Sequence, residues 1–398
     1  MAIIENMGTP PRVALLIESS RTYGRELLRG IRRYSRTHGP WIFPWVFYKQ
    51  DLFYISRGSS QEELEHIKNW KPNGIIARDS KDVQEMEKWN VPLFISVAVK
   101  APVTNRNNII TDDAAIAKMA AEHLLERGFK HFAYCGFNDI FWSRQRGESF
   151  SARIAEAGFK THIYKQPKSR ATRAWYREEP VLAEWLKELP KPVGVMACND
   201  DRGQHITEAC GIANLDVPYE VAVVGVDNDD VECDFSNPPL SSVELNVEKS
   251  GYQASELLDK MMAGEKMGPQ TVVVSPIRVI TRQSTDIVAV EDKIVSQALH
   301  FIHQNGKKLI QVEDVIKALN VSKSSLHERF MKELGRSVHD EIKRVRINLV
   351  SQMLLDSDLP ISEIAQSLGY ENTDHFARYF KQRKGVAPLY YRKLHGRE

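Results

Sequence analysis

Two rhythms of apolar and polar positions divide the chain near residue 285. Before that point, short apolar runs alternate with stretches whose apolar residues recur every three to four positions. The runs are VALLIE (13–18), GIIAR (74–78), VPLFISVAV (91–99), HFAYCGF (131–137), VGVMAC (193–198) and VAVVGVD (221–227). Helices are predicted through GRELLRGIRRYSRTHG, AAIAKMAAEHLLERG (114–128), GESFSARIAEAG (147–158), DRGQHITEACG and SGYQASELLDKMMAG (250–264), with TVVVSPIRVITR (271–282) as an extended exit. Continuous apolar strands alternating with helices predict parallel sheets in a doubly wound α/β fold, because crossover helices bury both faces of such a sheet. Neither a G-x-G-x-x-G after the first strand nor a P-loop occurs, so no nucleotide site is indicated.

After ITRQSTDIVAVED the rhythm is helical only. Ile294, Ala298 and Ile302 share one face. The pattern Val312, Val315, Ile316, Leu319, Val321, Leu326, Phe330 then recurs as Ile361, Ile364, Ala365, Leu368, Tyr370, Phe376, Phe380. The offset is 49 positions in the first helix and 50 in the second, so the second copy has one more residue in its turn. A helix, a tight turn and a second helix with this spacing is helix-turn-helix geometry. Gly369 suits the second turn, and Ser322 and Asn372 suit the N-caps of the second helices. Between the copies, Val338, Ile342, Val345, Leu349 and Met353 form one stripe, which predicts a single connecting helix.

Composition changes this picture little. The chain has 398 residues, 42% of them hydrophobic and 27% charged, with a formal net charge of +2, as in ordinary globular proteins. Local charge is more telling. Residues 286–398 carry 18 Lys and Arg against 15 Asp and Glu, and 376–397 carry seven basic residues and no acidic one. A basic end suits nucleic acid, whose phosphates release counterions on contact, and equally suits a solvated terminus. Cys135, Cys198, Cys210 and Cys233 are scattered without a C-x-x-C pair, which argues against a zinc site or a disulfide framework. The first residues show no basic segment followed by an apolar run of signal length, and no stretch approaches 18 apolar residues, so the expected location is the cytoplasm, away from the membrane. No metal and no cofactor are expected.

The motifs carry two resemblances. TDDAAIAKMAAEHLLERGFKHFAYCG, RGESFSARIAEAG, MACNDDRGQHITEACG, VPYEVAVVGVDN and LSSVELNVEKSGYQASELL resemble, in order, segments of the LacI/ribose-binding-protein sensors. This implies an α/β, periplasmic-binding-protein-like domain over 12–282, with two lobes of doubly wound parallel sheet closing on a small ligand. RVRINLVSQMLLDSDLPISEIAQSLGY with GYENTDHFARYFKQRKGVAPLYYRK resembles the AraC-family signature. It implies an all-α DNA-binding domain over 292–398, with helix-turn-helix units at 312–334 and 361–384 and a linker at 283–291. A sensor of the first kind placed before a reader of the second resembles the xylose-operon regulators. That resemblance implies a transcription regulator, not an enzyme. It would be an activator of sugar catabolism with D-xylose as effector, binding direct repeats in double-stranded DNA as a homodimer and contacting RNA polymerase. Another pentose or hexose effector, or repression, remains open. A transport binding protein would share the sensor but lack the helical domain, and a sugar enzyme would need an acid/base pair in the cleft.

Candidate residues follow from sugar chemistry. Hydroxyls want paired donors and acceptors, and C–H faces pack on aromatic rings. Asp227 ends a strand where ligands bind in open α/β sheets, or else caps the next loop. Asn199 and Asp200 follow VGVMAC, where one can cap the next helix while the other binds. Arg146 begins RGESF, where the resemblance implies a hydroxyl clamp. Ser19 and Tyr23 lie in the first loop, and Phe141 and Trp142 lie before Arg146 as stacking candidates. The resemblance implies polar contacts after VPLFIS, but this chain continues VAVKAP, leaving Arg78 or Asp79 to supply them. For DNA, the outward positions of the recognition helices are Ser324, His327 and Glu328, then Thr373, Asp374 and Arg378. Lys323, Lys381, Arg383 and Lys384 are placed for phosphates. Glu328 can instead pair with Lys332.

Overall fold

The apolar runs of the first part become strands of two separate sheets, and the points where the chain crosses between those sheets set the site. The computed structural model describes residues 9–44, 61–96, 101–102, 105–167, 175–287, 289–290, 292–357, 359–370 and 372–395. The chain divides into two units, residues 1–287 and 288–398.

In chain order the described strands of the first unit are β1 (Val13–Leu16), β2 (Gly74–Arg78), β3 (Leu93–Ser96), β4 (Asn107–Thr111), β5 (His131–Cys135), β6 (Thr161–Ile163), β7 (Val193–Ala197), β8 (Val221–Val226), β9 (Ser241–Leu245), β10 (Thr271–Val274) and β11 (Pro276–Ile280). One sheet has the order β1-β2-β3-β4-β10, the other β11-β9-β8-β7-β5-β6. All pairings are parallel except β11 with β9. Parallel registers such as Leu16 opposite Ala77 and Cys135 opposite Ala197 bring the strand C-termini of each lobe to one edge. The chain changes sheet after β4, after β9 and between β10 and β11, so three segments join the lobes. The lobes keep separate apolar cores, one around Leu16, Ile75, Met86 and Ile95, the other around Leu186, Val195, Ile206 and Val223.

The Thr22–His38 helix packs on the Val247–Met262 helix. Their backbones meet at Gly30, where an added Cβ would lie 2.0 Å from the Glu248 carbonyl oxygen. Several elements differ from the sequence pattern. The helix expected at 147–158 begins at Phe141, so Phe141 and Trp142 sit in its first turn and Arg146 in its second. The expected single exit strand breaks at Ser275, and its halves join different sheets. SSVEL is strand β9 although Ser241 and Ser242 are polar, because both are buried and hydrogen-bonded. VAVK, which follows VPLFIS, lies outside the described residues. No helix among the described residues is long and apolar enough to cross a membrane.

The second unit consists of helices Lys293–Gln304, Val312–Leu319, Lys323–Leu334, Val338–Asp356, Ile361–Ser367, Thr373–Lys384 and Pro388–His395. Val338–Asp356 is the single connecting helix that its stripe predicts. Ser322 accepts from the Ser325 N–H, and Asn372 from the N–H groups of Asp374 and His375, so both caps form. The left-handed residue of each turn is Asn320 in the first copy and Gly369 in the second, 49 positions apart. Arg346 ties the connecting helix to the second copy. It is buried, donates to the Lys308 carbonyl at 2.8 Å, the Leu368 carbonyl and the Tyr370 hydroxyl, and stacks on the Tyr370 ring.

Candidate effector cavity and nucleic-acid interface

A cavity lies between the lobes at the strand C-termini. Glu18, Tyr23 and Arg78 line it from one side, and Arg146, Asp200 and Asp227 from the other, with Phe141, Trp142 and Pro102 as apolar wall.

Arg146 is buried and held at three points. Its Nε donates to Asp113 at 2.9 Å, its Nη1 donates to the Cys198 carbonyl at 2.6 Å, and its guanidinium lies 4.8 Å from the Trp142 ring centroid. Asp113 is itself fixed by the Thr111 hydroxyl at 2.7 Å. Nη2 of Arg146 also makes a longer contact with the Thr111 hydroxyl at 3.5 Å, so the cation is held in place at the cavity wall.

Asp227 has a φ of 106°, and Asn228 follows at 51°. Two successive non-glycine residues in the left-handed region cost about 1–3 kcal/mol each, and such strain collects at functional sites. The Asp227 N–H donates to the Val243 carbonyl at 3.0 Å. Its carboxylate accepts no hydrogen bond among the described residues, which leaves its acceptor capacity toward the cavity. Burial pushes its pKa up to about 6. Arg146 opposes that rise, and the charges of Asp229 and Asp113 add to it.

Tyr23 ends in a buried hydroxyl without a hydrogen-bond partner among the described residues. Burial, and then the charge of Asp227, raise its pKa. Arg78 also lines the cavity, paired with Glu18 at 3.3 Å, whereas Asp79 does not. Ser19 is not a lining residue. The loop turns Glu18 inward instead, because its carboxylate accepts from the N–H groups of Ser20 at 2.7 Å and Arg21 at 3.1 Å.

Asn199 and Asp200 both reach the cavity wall, but protein groups engage them. Asn199 caps the Asp200–Ala213 helix by accepting from the Arg202 N–H at 3.2 Å, and its amide donates to Asp201 at 2.9 Å. Asp200 accepts from the Ser242 hydroxyl at 2.6 Å and the Asp229 N–H at 2.7 Å, one bond to each oxygen. It shapes the Asp227–Asp229 loop. Burial and the charge of Asp227 raise its pKa well above the usual carboxylate range.

A set of ion pairs across the cleft escapes the sequence pattern. Arg21 reaches Asp201 at 2.5 Å and also Glu232. Arg25 reaches Asp229 at 3.2 Å and Asp230 at 3.5 Å, while the Thr22 N–H donates to Asp229 at 2.6 Å. These contacts hold the lobes together. The acidic run DNDDVE (227–232) is their signal in the sequence, but nothing local pairs it with Arg21 and Arg25, about 200 residues earlier. Burial pushes the Asp201 carboxyl up to about 7 even beside Arg21. The whole arrangement suits an uncharged ligand with several hydroxyls: Asp227 to accept, Tyr23 and the guanidinium groups to donate, and rings to cover a C–H face.

In the second unit, Lys323, Ser324, His327 and Glu328 are exposed on the Lys323–Leu334 helix, and Thr373, Asp374, Arg378 and Lys381 on the Thr373–Lys384 helix. Leu326, Phe330, Phe376 and Phe380 are buried beneath them. Lys323 pairs with Glu313 at 3.0 Å. Arg383 is exposed, and Lys384 half-buried beside the Tyr391 ring. His375 is a further exposed side chain in the first turn of the second recognition helix, absent from the sequence-based selection.

Comparison with known proteins agrees with both units. Residues 121–285 match the periplasmic binding protein-like domain family, and residues 315–394 a helix-turn-helix domain family. Over 394 residues the chain is 30% identical to the xylose operon regulatory protein of Escherichia coli (strain K12), covering 96% of this chain and 97% of that protein. The protein of the same description from Haemophilus influenzae is 30% identical over 390 residues, covering 96% and 98%. A solved structure of a xylose-binding transcription activator is similar at a TM-score of 0.81 and 29% identity, covering 97% of this chain and 98% of that one.

Proposed function

The chain belongs to the family of the xylose operon regulatory proteins, transcription regulators with a sugar-sensing unit and a helix-turn-helix DNA-binding unit, and on that premise we propose that D-xylose is its effector, bound between the lobes. The observation that carries the reading is the pairing of the Tyr23 hydroxyl, buried without a hydrogen-bond partner, with the half-buried Asp227 carboxylate, which accepts no hydrogen bond among the described residues, at one cavity. A sugar hydroxyl donating to Asp227 and another accepting from Tyr23 or Arg146 satisfies these groups. An epimer that misplaces one hydroxyl strands a buried polar atom at about 1–3 kcal/mol. Trp142 and Phe141 cover the C–H face. Asn199 and Asp200 hold the wall on which Asp227 stands.

Effector bound between the lobes favours their closed arrangement, and closure favours DNA binding. By linkage, DNA then favours effector binding by the same factor. The protein acts as a homodimer on direct repeats in promoter DNA, in the cytoplasm, and recruits RNA polymerase to activate transcription. Within each protomer the connecting helix sets the spacing that lets both recognition helices enter successive major grooves. Ser324, His327, Glu328, Thr373, Asp374 and Arg378 read base edges, and Lys323 and Lys381 hold phosphates.

A thermal-shift comparison of pentoses and hexoses tests this, since a ligand that binds only the folded state raises its melting temperature. D-xylose raises that of the wild type and fails to raise that of Asp227→Ala. An intact shift in Asp227→Ala removes Asp227 from the site, and a wild type that responds to no sugar removes the sugar reading.

A further inference from the structure

The strained pair Asp227–Asn228 faces two ways. Asp227 lines the cavity. Asn228 accepts, through its side-chain oxygen, from Nη1 of Arg282 at 2.9 Å. Arg282 lies in the last stretch of the sensor unit, whose final residue is 287, and is not among the residues lining the cavity. Its guanidinium also donates to the Leu240 carbonyl at 3.0 Å and pairs with Asp234 at 3.3 Å. Its backbone is pinned as well, since the Ser241 hydroxyl accepts from the Arg282 N–H at 2.8 Å.

A second route from the cavity ends three residues further on. Asp113, which holds Arg146, begins the Asp113–Leu125 helix. At the other end of that helix, His123 meets the Thr285 hydroxyl at 2.8 Å, and just beyond it Arg127 donates to the Thr285 carbonyl at 2.7 Å. Thr285 in turn donates to Ser241 at 2.7 Å. Burial, reinforced by Arg127, keeps His123 neutral by lowering its pKa to about 3. Asp227 thus reaches the exit segment through Asn228, and Arg146 reaches it through Asp113, the helix that Asp113 begins, and His123.

We propose that Asn228 and Arg282 are the positioning pair that passes effector occupancy from Asp227 to the chain entering the DNA-binding unit. The inference rests on the proposed effector site. The element with two arrangements is the Asp227–Asn228 turn, because two adjacent left-handed residues stay so only while their surroundings hold them. Effector hydroxyls on Asp227 hold the first residue, and the second then keeps its grip on Arg282. When the turn relaxes, Arg282 and the exit segment lose that anchor. A ligand shifts such an equilibrium only by its differential affinity for the two arrangements, and here the difference resides in Asp227.

The experiment uses the full-length protein, D-xylose, and a DNA fragment selected by the wild type from a random pool in the presence of D-xylose. Calorimetry gives the Kd for D-xylose, and DNA titrations with and without saturating D-xylose give the gain in DNA affinity. The wild type should show a gain within the usual range for allosteric coupling, roughly 5- to 150-fold. Asn228→Gly keeps the left-handed backbone and loses the amide. It should retain the D-xylose Kd to within about threefold while its gain falls below about twofold, the pattern of a lost coupling free energy. Arg282→Gln should behave likewise, and Asn228→Asp, which still offers Arg282 an oxygen, should keep the gain. An undiminished gain in Asn228→Gly and Arg282→Gln overturns the inference while the effector site stands. So does a loss of gain in Asn228→Asp, or a parallel loss of D-xylose binding and gain in Asn228→Gly. A wild type that binds D-xylose with no gain overturns both the proposed regulation and the inference.

Discussion

Tyr23 shows at the scale of one residue how the sensor is built for a ligand and not for its own stability. A buried hydroxyl without a partner costs about 1–3 kcal/mol. Tyr23→Phe removes that cost along with the contact. Its melting temperature without sugar should equal or exceed that of the wild type, while its affinity for D-xylose drops roughly tenfold or more, since tenfold corresponds to about 1.4 kcal/mol. Lower melting temperature with unchanged affinity would make Tyr23 a packing residue. Asp227 gives a second handle, because its pKa is pushed up to about 6 by burial. In the proposed binding mode sugar hydroxyls donate to the ionised carboxylate, so binding favours the deprotonated form and releases a proton. Affinity is therefore fully present above the pKa and lost as pH falls through it, by at most about tenfold per unit for one proton. Calorimetry across this range should show affinity declining from pH 7 downward, and Asp227→Asn should weaken binding and flatten the lower part of the profile. A wild-type profile level through pH 6 would mean that Asp227 does not bind as a carboxylate.

At the scale of elements, the duplicated helix-turn-helix was legible because its information is local. Apolar spacing sets each helix, Ser322 and Asn372 cap from within three residues, and Gly369 supplies the left-handed turn. The first copy solves the same turn with Asn320. This asymmetry makes a paired prediction. Gly369→Ala introduces a side chain at a φ of 77°, against Leu309 at 3.4 Å, and should destabilise the unit by about 1 kcal/mol. Asn320→Gly relieves a milder strain at a φ of 51° and should be neutral within about 0.5 kcal/mol. Chemical denaturation of the two variants checks this, and equal effects would mean that the two turns are not equivalent positions. What sequence missed is non-local. Arg346 reads as a surface charge on the connecting helix, yet it binds carbonyls of two other segments. The break at Ser275 is marked by the Ser275-Pro276 pair, but nothing local says that the two halves join different sheets. Position in the first loop points to Ser19, but the Glu18 carboxylate decides which way that loop turns. Asp227 is readable as a cavity residue because a strand end is a local fact, and Arg146 because the resemblance implies a clamp at RGESF, although the helix that carries it begins earlier, at Phe141. The ion pairs from Arg21 and Arg25 required the lobes to be folded first.

For the whole molecule, regulation requires that sugar and DNA report on one equilibrium, and the two kinds of DNA contact separate that equilibrium from affinity itself. Arg378 and Lys381, three residues on, are both exposed in the second recognition helix, and the proposed roles are a guanine edge for Arg378 and a phosphate for Lys381. A base contact is worth about 1–3 kcal/mol for the right base alone. A phosphate contact acts on every sequence and scales with counterion release. Arg378→Ala should therefore weaken binding to selected DNA by roughly 5- to 150-fold with little effect on random DNA. Lys381→Ala should weaken both alike and reduce the slope of log affinity against log salt by about one. Equal losses on both DNAs in Arg378→Ala would make it a phosphate contact instead. Neither residue belongs to the sensor, so each changes DNA affinity equally with and without D-xylose, and the gain that D-xylose confers should survive both substitutions. Because linkage makes that gain equal to the gain in sugar affinity on adding DNA, the same two variants should leave the DNA-induced tightening of D-xylose untouched at saturating DNA. A sensor-to-reader device in which base readout itself switched with sugar would break that equality for Arg378 and keep it for Lys381.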